Sequence, residues 1–435
     1  MSEPAPGGPG AGGLAGLLPE LAWRGMLHQT TPGLPERLAS GRAIAGYNGF
    51  DPSGDSLHVG HLVPIFGLIR LQRAGGKPYV LVGGGTGMIG DPSGRASERV
   101  LLDRPTLERN VAAIHVQLER FLDFSPGPSQ AVMVNNLDWL GEVSLIEFLR
   151  DVGKHFTVPY MLSKDSVKLR LDRGLSFTEF SYMLLQAYDF AHLYRDDGVE
   201  LQMGGADQWG NITAGLELIR RTSGAEESPA HGIAYPLLLS PSGTKFGKSE
   251  AGDSIWLDPA RTSPYAFYQY WLNTDDRDAP VYLRWFTELP RSRIEELDAE
   301  LAARPEARAP QRELARDVTA RVHGAAAAEH AIRVSEAAFA REPLVDPAIL
   351  ATLHEAADGF SFTAEQARGS LVALLVASGT FPSNGEARRM ISGGGVTVND
   401  QRVTSADAPL PPLIAGEWLV IRIGKRKVRV GRLLR

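Results

Sequence analysis

Between about Leu17 and Trp256, short apolar runs of β-like composition alternate with longer helix-like segments. The runs are "IAGYNGF", "PYVLVGGG", "AVMVNN" and "VELQMGG". Alternation of this kind predicts α/β units around a parallel sheet. Ligands bind such sheets outside the carboxyl ends of the strands, and polar residues gather there. Asp51 follows the first run, Asp91 the second, Asn135 and Asn136 the third, and Asp207 and Gln208 the fourth.

From 261 to 341 the texture changes. "PYAFYQYWLN", "RSRIEELDAELAAR" and "RELARDVTARVHGAAAAEHAIRVSEAAFA" are rich in Ala, Glu, Arg and Leu and predict an α-helical domain. Residues 342–366, with Pro343, Pro347 and Gly359, read as a linker. Residues 367–435 predict a small α+β domain. "LVALLVASGTF" reads as a helix with a turn, Ser383 to Glu386 as a capping box opening "NGEARRMIS", "VTVN" as a strand, Asn399-Asp400 as a turn, and "EWLVIRIGKRKVRVG" as further strands. The Pro/Gly-rich start, residues 1–16, reads as a disordered tail.

One helix-like stretch poses a physical question. In "YMLLQAYD", Tyr182, Gln186 and Asp189 stand at i, i+4 and i+7 and share one face of a segment that is otherwise apolar. Apolar surroundings predict burial. A buried carboxylate is costly unless something hydrogen-bonds it.

Composition narrows the field. The chain has 435 residues, 43% hydrophobic and 22% charged, with a net charge of −6, which is ordinary for a globular protein. It has no cysteine, which excludes disulfides, thiol nucleophiles and Cys-ligated zinc. No apolar run is long enough to span a bilayer, and the start lacks the pattern of a signal peptide. These features fit a cytoplasmic protein. The charge is unevenly placed. "RIGKRKVRVGRLLR" is cationic with no acidic residue, and Arg388-Arg389 adds to it. Such a tail is either solvated charge or a surface for nucleic-acid phosphates, and the folded unit before it favours RNA.

Four motifs carry candidate chemistry. In "DPSGDSLHVGH", Asp55 or Ser56 can cap a helix running to about Ala74, which places His58 and His61 in its first turn. A helix start attracts anions, and Gly60 lets a flat ring approach the backbone. The plain alternative is a capped helix with two surface histidines. In "TKFGKS", Lys245 and Lys248 lie on a glycine-containing loop that can close over a polyphosphate, or form a solvated basic loop. "GGGTGMIGDPSGR" holds a Gly85-x-Gly87-x-x-Gly90 spacing. Asp91-Pro92 then breaks the helix a dinucleotide site needs, so a tight loop with Asp91 turned inward is the better reading. In "QMGGADQWGN", Gly204-Gly205 permits close backbone approach. Asp207 and Gln208 can bind hydroxyls, or Asp207 can simply cap the next helix.

Together these segments resemble one family, the class I aminoacyl-tRNA synthetases, and within it the bacterial-type tyrosyl-tRNA synthetases. "HVGH" resembles the HIGH signature with Val59 for isoleucine, and "KFGKS" resembles KMSKS. "YNGFDPSGDSLHVGHL", "GDPSG", "NNLDW", "SFTEFSYMLLQAYDF" and "GGADQWGNITAGLELI" stand in the order of that family. The C-terminal segment resembles an S4 RNA-binding domain. Three positions depart from the family pattern. Ser53 replaces a common threonine, Asn48 follows Tyr47, and Pro64 lies early in the helix after HVGH.

The resemblance implies a Rossmann-like catalytic domain over 17–260 and a homodimer contact within about 137–193. It implies tyrosine–tRNA ligation in two steps, with ATP as substrate, Mg²⁺ on its phosphates, no zinc, and tRNA(Tyr) as partner. By resemblance, His58, His61, Lys245 and Lys248 serve the phosphates. Tyr47 and Asp189 bind the substrate phenol. Asp91, Tyr182 and Gln186 hold its amino group, and Gln208 meets its carboxylate side. Asp51, Ser53, Gly60, Gly205, Asp207 and Lys248 lie along ATP or the adenylate. Arg388, Arg389, Lys425, Arg426 and Lys427 are the tRNA candidates. Two alternatives stay open on sequence grounds, a tryptophanyl-tRNA synthetase-like enzyme and a non-catalytic S4-type RNA-binding protein.

Overall fold

The computed structural model describes residues 12–91, 102–164, 167–168, 174–238, 246–247, 254–340, 342–356, 359–424 and 427–434, the side chains of Phe339 and Lys427 excepted. Contacts divide the chain into two compact units, Met1–Arg261 with Thr274–Leu314, and Thr262–Asn273 with Ala315–Arg435.

The first unit is built on a six-stranded sheet. Its strands are β1 (Gln29–Thr30), β2 (Ala45–Phe50), β3 (Lys77–Val82), β4 (Val132–Asn135), β5 (Val199–Gly205) and β6 (His231–Tyr235), in the order β1-β6-β5-β2-β3-β4. Every pairing is parallel except that of β1 with β6. The chain runs outward from β2 through β3 to β4, then returns to the other side of β2 as β5 and β6. The direction therefore reverses between β2 and β5, where open α/β sheets bind ligands. The four expected runs all form strands. Strands β1 and β6 were not expected, being too short to show a period against their polar flanks.

Helix α1 (Leu62–Arg73) packs one face of the sheet through Leu62, Ile65, Phe66, Leu68, Ile69 and Leu71, all buried. Gly46 of β2 permits that approach, since a Cβ there would lie 2.8 Å from Leu71 Cδ2. Helix α2 (Arg104–Leu118) follows β3. Helices α3 (Phe177–Asp197) and α4 (Trp209–Ser223) share a core with the other face, made of Tyr47, Tyr79, Phe190, Leu193, Ile212, Leu216 and their neighbours. Each such side chain, fully buried, contributes about 1.5–3 kcal/mol. The two helices touch closely at Gly215, where a Cβ would lie 2.8 Å from Phe190 Cδ1. Ser176 caps α3 by accepting the Glu179 amide at 3.2 Å, and Gly198, with φ of 68°, ends it.

The second unit holds a five-stranded sheet of β7 (Phe360–Phe362), β8 (Val396–Val398), β9 (Gln401–Arg402), β10 (Trp418–Ile423) and β11 (Lys427–Leu433), ordered β7-β11-β10-β8-β9. Leu371, Leu374, Leu375, Ala387 and Ile391, from helices Leu371–Ala377 and Asn384–Ser392, share its core. Asn399 and Asp400, both with positive φ, make the two-residue turn between β8 and β9.

Several expectations change. Asp55 and Ser56 cap nothing. Asp55 pairs with Arg261, and Ser56 Oγ donates to Leu57 O at 2.7 Å. His58 instead caps a 3₁₀ turn, Val59–His61, and α1 starts only after His61. Gln208 rather than Asp207 occupies the cap position of α4, with no side-chain cap bond. The helices expected as one domain over 261–341 divide between the two units. The stretch expected as a linker, 342–366, carries helix Pro347–Ala356, strand β7 and helix Ala364–Arg368, and β7 pairs with β11. Of the expected tail, 1–11 lies outside the described residues, and Gly13–Gly16 forms a 3₁₀ turn.

Candidate active site

The site residues of the first unit come from the carboxyl ends of β2, β3, β4 and β5, from α3, and from the turn before α1. Tyr47 and Asp189 mark its dry end. Tyr47 is 1% exposed, and its ring meets Phe190 of α3 at 5.4 Å. Its hydroxyl is buried without a hydrogen-bond partner among the described residues, and burial with the nearby Asp189 charge raises its pKa well above the usual phenol value. Asp189, 2% exposed, accepts from Trp139 Nε1 at 2.7 Å and from Asn136 Nδ2 at 2.9 Å. Burial outweighs those two donors and, with the Asp51 charge, pushes the carboxyl up to about 8.

A hydrogen-bonded line leaves Asp189 toward the other carboxylates. Asn136 Nδ2 also donates to Thr86 Oγ1 at 2.9 Å, and Asn136 Oδ1 accepts from Gly85 N at 2.7 Å. Thr86 Oγ1 donates to Asp51 Oδ1 at 3.2 Å, and the Tyr182 hydroxyl donates to Asp51 Oδ2 at 3.2 Å. A Cβ on Gly83 would stand 2.6 Å from Asp51 Oδ1, so the glycine-rich turn after β3 is what lets this line close.

A second group sits one helical turn along α3. Gln208 Nε2 donates to Asp91 Oδ2 at 2.7 Å, Gln186 Nε2 to Gln208 Oε1 at 3.4 Å, and Asn211 Nδ2 to Gln186 Oε1 at 2.9 Å. Asp91 is turned inward, 7% exposed. The predicted face of α3 thus bridges two polar groups, with Asp189 in one, Gln186 in the other, and Tyr182 beside Asp51. Gly205 ends β5, Asp207 is exposed in the following turn, and exposed Ser53 donates its amide to Asp51 O at 2.8 Å.

The histidines serve their own backbone first. His58 Nδ1 accepts from Gly60 N at 3.1 Å, and His61 Nδ1 accepts from His58 N at 3.0 Å. A ring that accepts at Nδ1 carries its proton at Nε2, so each presents an Nε2–H donor. Only glycine fits at 60, because a Cβ would lie 2.8 Å from His58 Cε1. The distant "KFGKS" segment reaches this turn. Gly247, with φ of 96°, lies so close that its Cβ would meet Val59 Cγ2 at 3.2 Å. Phe246 stacks on Phe286 at 5.2 Å and 8°, with Tyr282 at 5.1 Å. Lys245 and Lys248 lie outside the described residues.

Asn136, expected at the ligand-facing end of its strand but given no role, and Trp139, Thr86 and Asn211 were not assigned to the site from sequence. "NNLDW" carried the first two in plain view, but which neighbour an Asn or Trp serves depends on strand order rather than on spacing. Among the described residues no three His, Asp or Glu side chains converge to hold a metal.

In the second unit Arg388 and Arg389 are exposed on helix Asn384–Ser392. Lys425 and Arg426 lie outside the described residues, and Lys427 is described by its backbone alone. Arg435 also lies outside the described residues, and the three described arginines of the tail have internal partners. Arg422 pairs with Asp400, Arg432 with Glu417, and Arg429 donates to Ser378 O at 2.7 Å.

Residues 39–340 match the family described as tRNA synthetases class I (W and Y), and residues 353–430 match the tyrosine–tRNA ligase SYY-like C-terminal domain. The tyrosine–tRNA ligase of Anaeromyxobacter dehalogenans (strain 2CP-1) is 52% identical over 94% of this chain and 97% of its own. That of Geobacillus stearothermophilus is 51% identical over 94% and 98%. Among solved structures, a C-terminally truncated mitochondrial tyrosyl-tRNA synthetase of Aspergillus nidulans aligns with a TM-score of 0.67 at 29% identity, covering 74% of this chain and 93% of that one.

Proposed function

Because the chain belongs to the class I tyrosine–tRNA ligases, it joins tyrosine to tRNA with ATP as substrate, and we propose that the two polar groups along α3 are the tyrosine site. The observation that carries this is the pairing of a buried, unpartnered phenol, Tyr47, with a buried carboxylate, Asp189, at the dry end. The substrate hydroxyl donates to Asp189 and accepts from Tyr47. Phenylalanine leaves both unanswered, and sites built to bond a hydroxyl reject its absence by orders of magnitude; tyrosyl enzymes are the standing case of that rule. Gln186, Tyr182, Asp91 and Gln208 hold the amino and carboxylate end. An indole needs one acceptor and leaves the Tyr47 hydroxyl unmatched, which disfavours tryptophan.

In the first step a carboxylate oxygen of tyrosine attacks the α-phosphorus of ATP and pyrophosphate leaves. In the second, a terminal ribose hydroxyl of the tRNA attacks the tyrosyl carbonyl and AMP leaves. No protein nucleophile is needed, only alignment and donors where phosphate charge develops. His58 and His61 offer Nε2–H groups there, Lys245 and Lys248 bring positive charge, and Gly60, Gly205, Asp51, Ser53 and Asp207 border the nucleotide. Mg²⁺ enters as part of the substrate, carried on ATP phosphate oxygens.

Arg388, Arg389, Lys425, Arg426 and Lys427 are proposed to meet tRNA phosphates, supported by the exposure of the first two. A homodimer through 137–193 is supported by Leu145, Ile146, Val158 and Phe177, which are 69%, 72%, 60% and 76% exposed. The cytoplasm, where tRNA is charged, is the proposed location. Pyrophosphate exchange with tyrosine and phenylalanine tests the site. Asp189→Ala should abolish the preference for tyrosine, and an unchanged preference would remove Asp189 from the site.

A further inference from the structure

Behind the dry end of the site stands a histidine with no assigned task. His192 lies one turn after Asp189 on α3, and its ring stacks on the indole of Trp139 at 4.5 Å and 22°. That indole donates its N–H to Asp189 Oδ1 at 2.7 Å. The imidazole therefore lies flat on the ring that holds the phenol-binding carboxylate. Trp139 is 9% exposed, while the His192 side chain, at 20%, is open to protons from solvent. Its Nδ1 lies 2.9 Å from Asp196 Oδ2 and 3.4 Å from Arg195 Nη2. Unprotonated, Nδ1 accepts from the arginine. Protonated, it donates to the carboxylate, so the surroundings serve both charge states. Burial draws its pKa below the usual histidine value, and the charges acting on it are those of Asp196, Arg195 and Asp197, all on α3. The Tyr188 ring, also on α3, is 6.3 Å away. Helix Leu137–Leu140, packed against it through Trp139, carries Asp138, which is exposed.

We propose that His192 is a positioning residue of the tyrosine site, which seats the Trp139 indole against Asp189 and, when protonated, strengthens the indole N–H bond to that carboxylate. The inference rests on the tyrosine site described above. An imidazolium over an indole face is attracted to the electron density of the ring. It draws that density away from the N–H, which becomes a stronger donor, and a stronger donor favours the ionised carboxylate. Bound tyrosine favours the same form, because its hydroxyl donates to Asp189. Tyrosine binding and His192 protonation therefore support each other, and linkage makes the support reciprocal. Affinity for tyrosine should then persist in mild acid, where Asp189 without this help would take up its proton and lose the bond. Phenylalanine has no hydroxyl to give and gains nothing from the stack.

The test is equilibrium dialysis of the full chain with labelled tyrosine, from about pH 5.5 to about pH 8.5, the range across which a histidine titrates. His192→Ala removes the stack and should raise Kd for tyrosine roughly three- to tenfold throughout. His192→Phe keeps a stacked ring but not the proton. It should bind like the unaltered chain near pH 8 and lose affinity more steeply below about pH 6.5. With isotope-labelled histidines, the NMR signal missing from His192→Phe should titrate at higher pH when tyrosine is bound. Should the His192 variants not fold, Asp196→Asn, at an exposed position, carries the comparison. It deprives the imidazolium of its carboxylate and should weaken tyrosine binding in mild acid but not near pH 8. A pH profile shared by the unaltered chain and these variants, or a histidine signal indifferent to tyrosine, would reduce His192 to a packing residue and overturn the proposal. Unchanged binding by His192→Ala would overturn it too. Asp189→Asn is run in parallel with phenylalanine as competitor. An unchanged preference for tyrosine there sinks the site itself, whereas a lost preference there, with the His192 variants unaffected, sinks only the role of His192.

Discussion

At Asp189 two N–H donors and a dry environment pull in opposite directions, and burial wins, leaving the carboxyl near 8. Unfolded, it titrates near 4. Between about 4 and about 8 the folded protein therefore binds this proton more tightly. Its contribution to stability is fully present below about pH 4 and is lost as pH rises toward about 8. The melting temperature of the ligand-free protein should fall over that range, and Asp189→Asn should flatten the fall. Tyrosine adds a third donor to the ionised form, so its binding at pH 7 should release up to about one proton per site. Calorimetry in two buffers of different ionisation enthalpy measures this. No proton release, or equal release by Asp189→Asn, would contradict the assignment. The residue itself was legible, because a carboxylate on an apolar helix demands a reason. Its donors were not, because Asn136 and Trp139 sit some fifty residues away and reach it only through the β4 edge of the sheet.

At the scale of elements, short turns set the geometry more than helices do. The turn before α1 is held by the histidine rings, so the expected first-turn placement gave way to a self-capped 3₁₀ turn. Side-chain capping by His58 satisfied the local amides before Asp55 or Ser56 could. The turn after β5 is equally tight. A Cβ on Gly204 would lie 3.0 Å from Gln208 Cβ and 3.3 Å from Ile212 Cδ1. Gly204→Ala should therefore displace the turn that carries Gln208. Its stability cost should be small, about 1 kcal/mol, because the stiffer unfolded chain offsets part of the strain. KM for tyrosine should rise several-fold, with a lesser effect on KM for ATP. A lowered Tm with unchanged KM would show that Gln208 does not depend on this contact.

At the scale of the molecule, the limits of the C-terminal part moved. Phe360–Phe362 pairs with β11, so a cut at 367 removes one strand from its neighbour, and a cut ahead of Pro347 keeps the sheet whole in the part removed. A chain ending there should retain pyrophosphate exchange with tyrosine, lose tRNA charging, and still sediment as a dimer if 137–193 is the contact. Charging that survives the cut would free the C-terminal sheet from a role in tRNA binding. A monomer at micromolar concentration would instead move the contact. The basic tail also looks different in three dimensions. Arg422, Arg429 and Arg432 hold the unit together, so the proposed tRNA contacts at Arg388, Arg389, Lys425, Arg426 and Lys427 do not draw on them.

The sequence by itself determined strands β2 to β5, the polar face of α3, and the glycines and histidines of the signatures. Each of these follows from local spacing, from period 2 in strands, from period 3.6 in helices, or from a backbone that only glycine allows. Tertiary structure alone decided which side chains meet. Strand order brought Gln202 beside Tyr47 and Asn136 to Asp189, and it laid Gly247 against Val59, nearly two hundred residues away. Partnerships across a sheet depend on which strands become neighbours, and that choice is made by burial of the whole apolar surface rather than by any one segment.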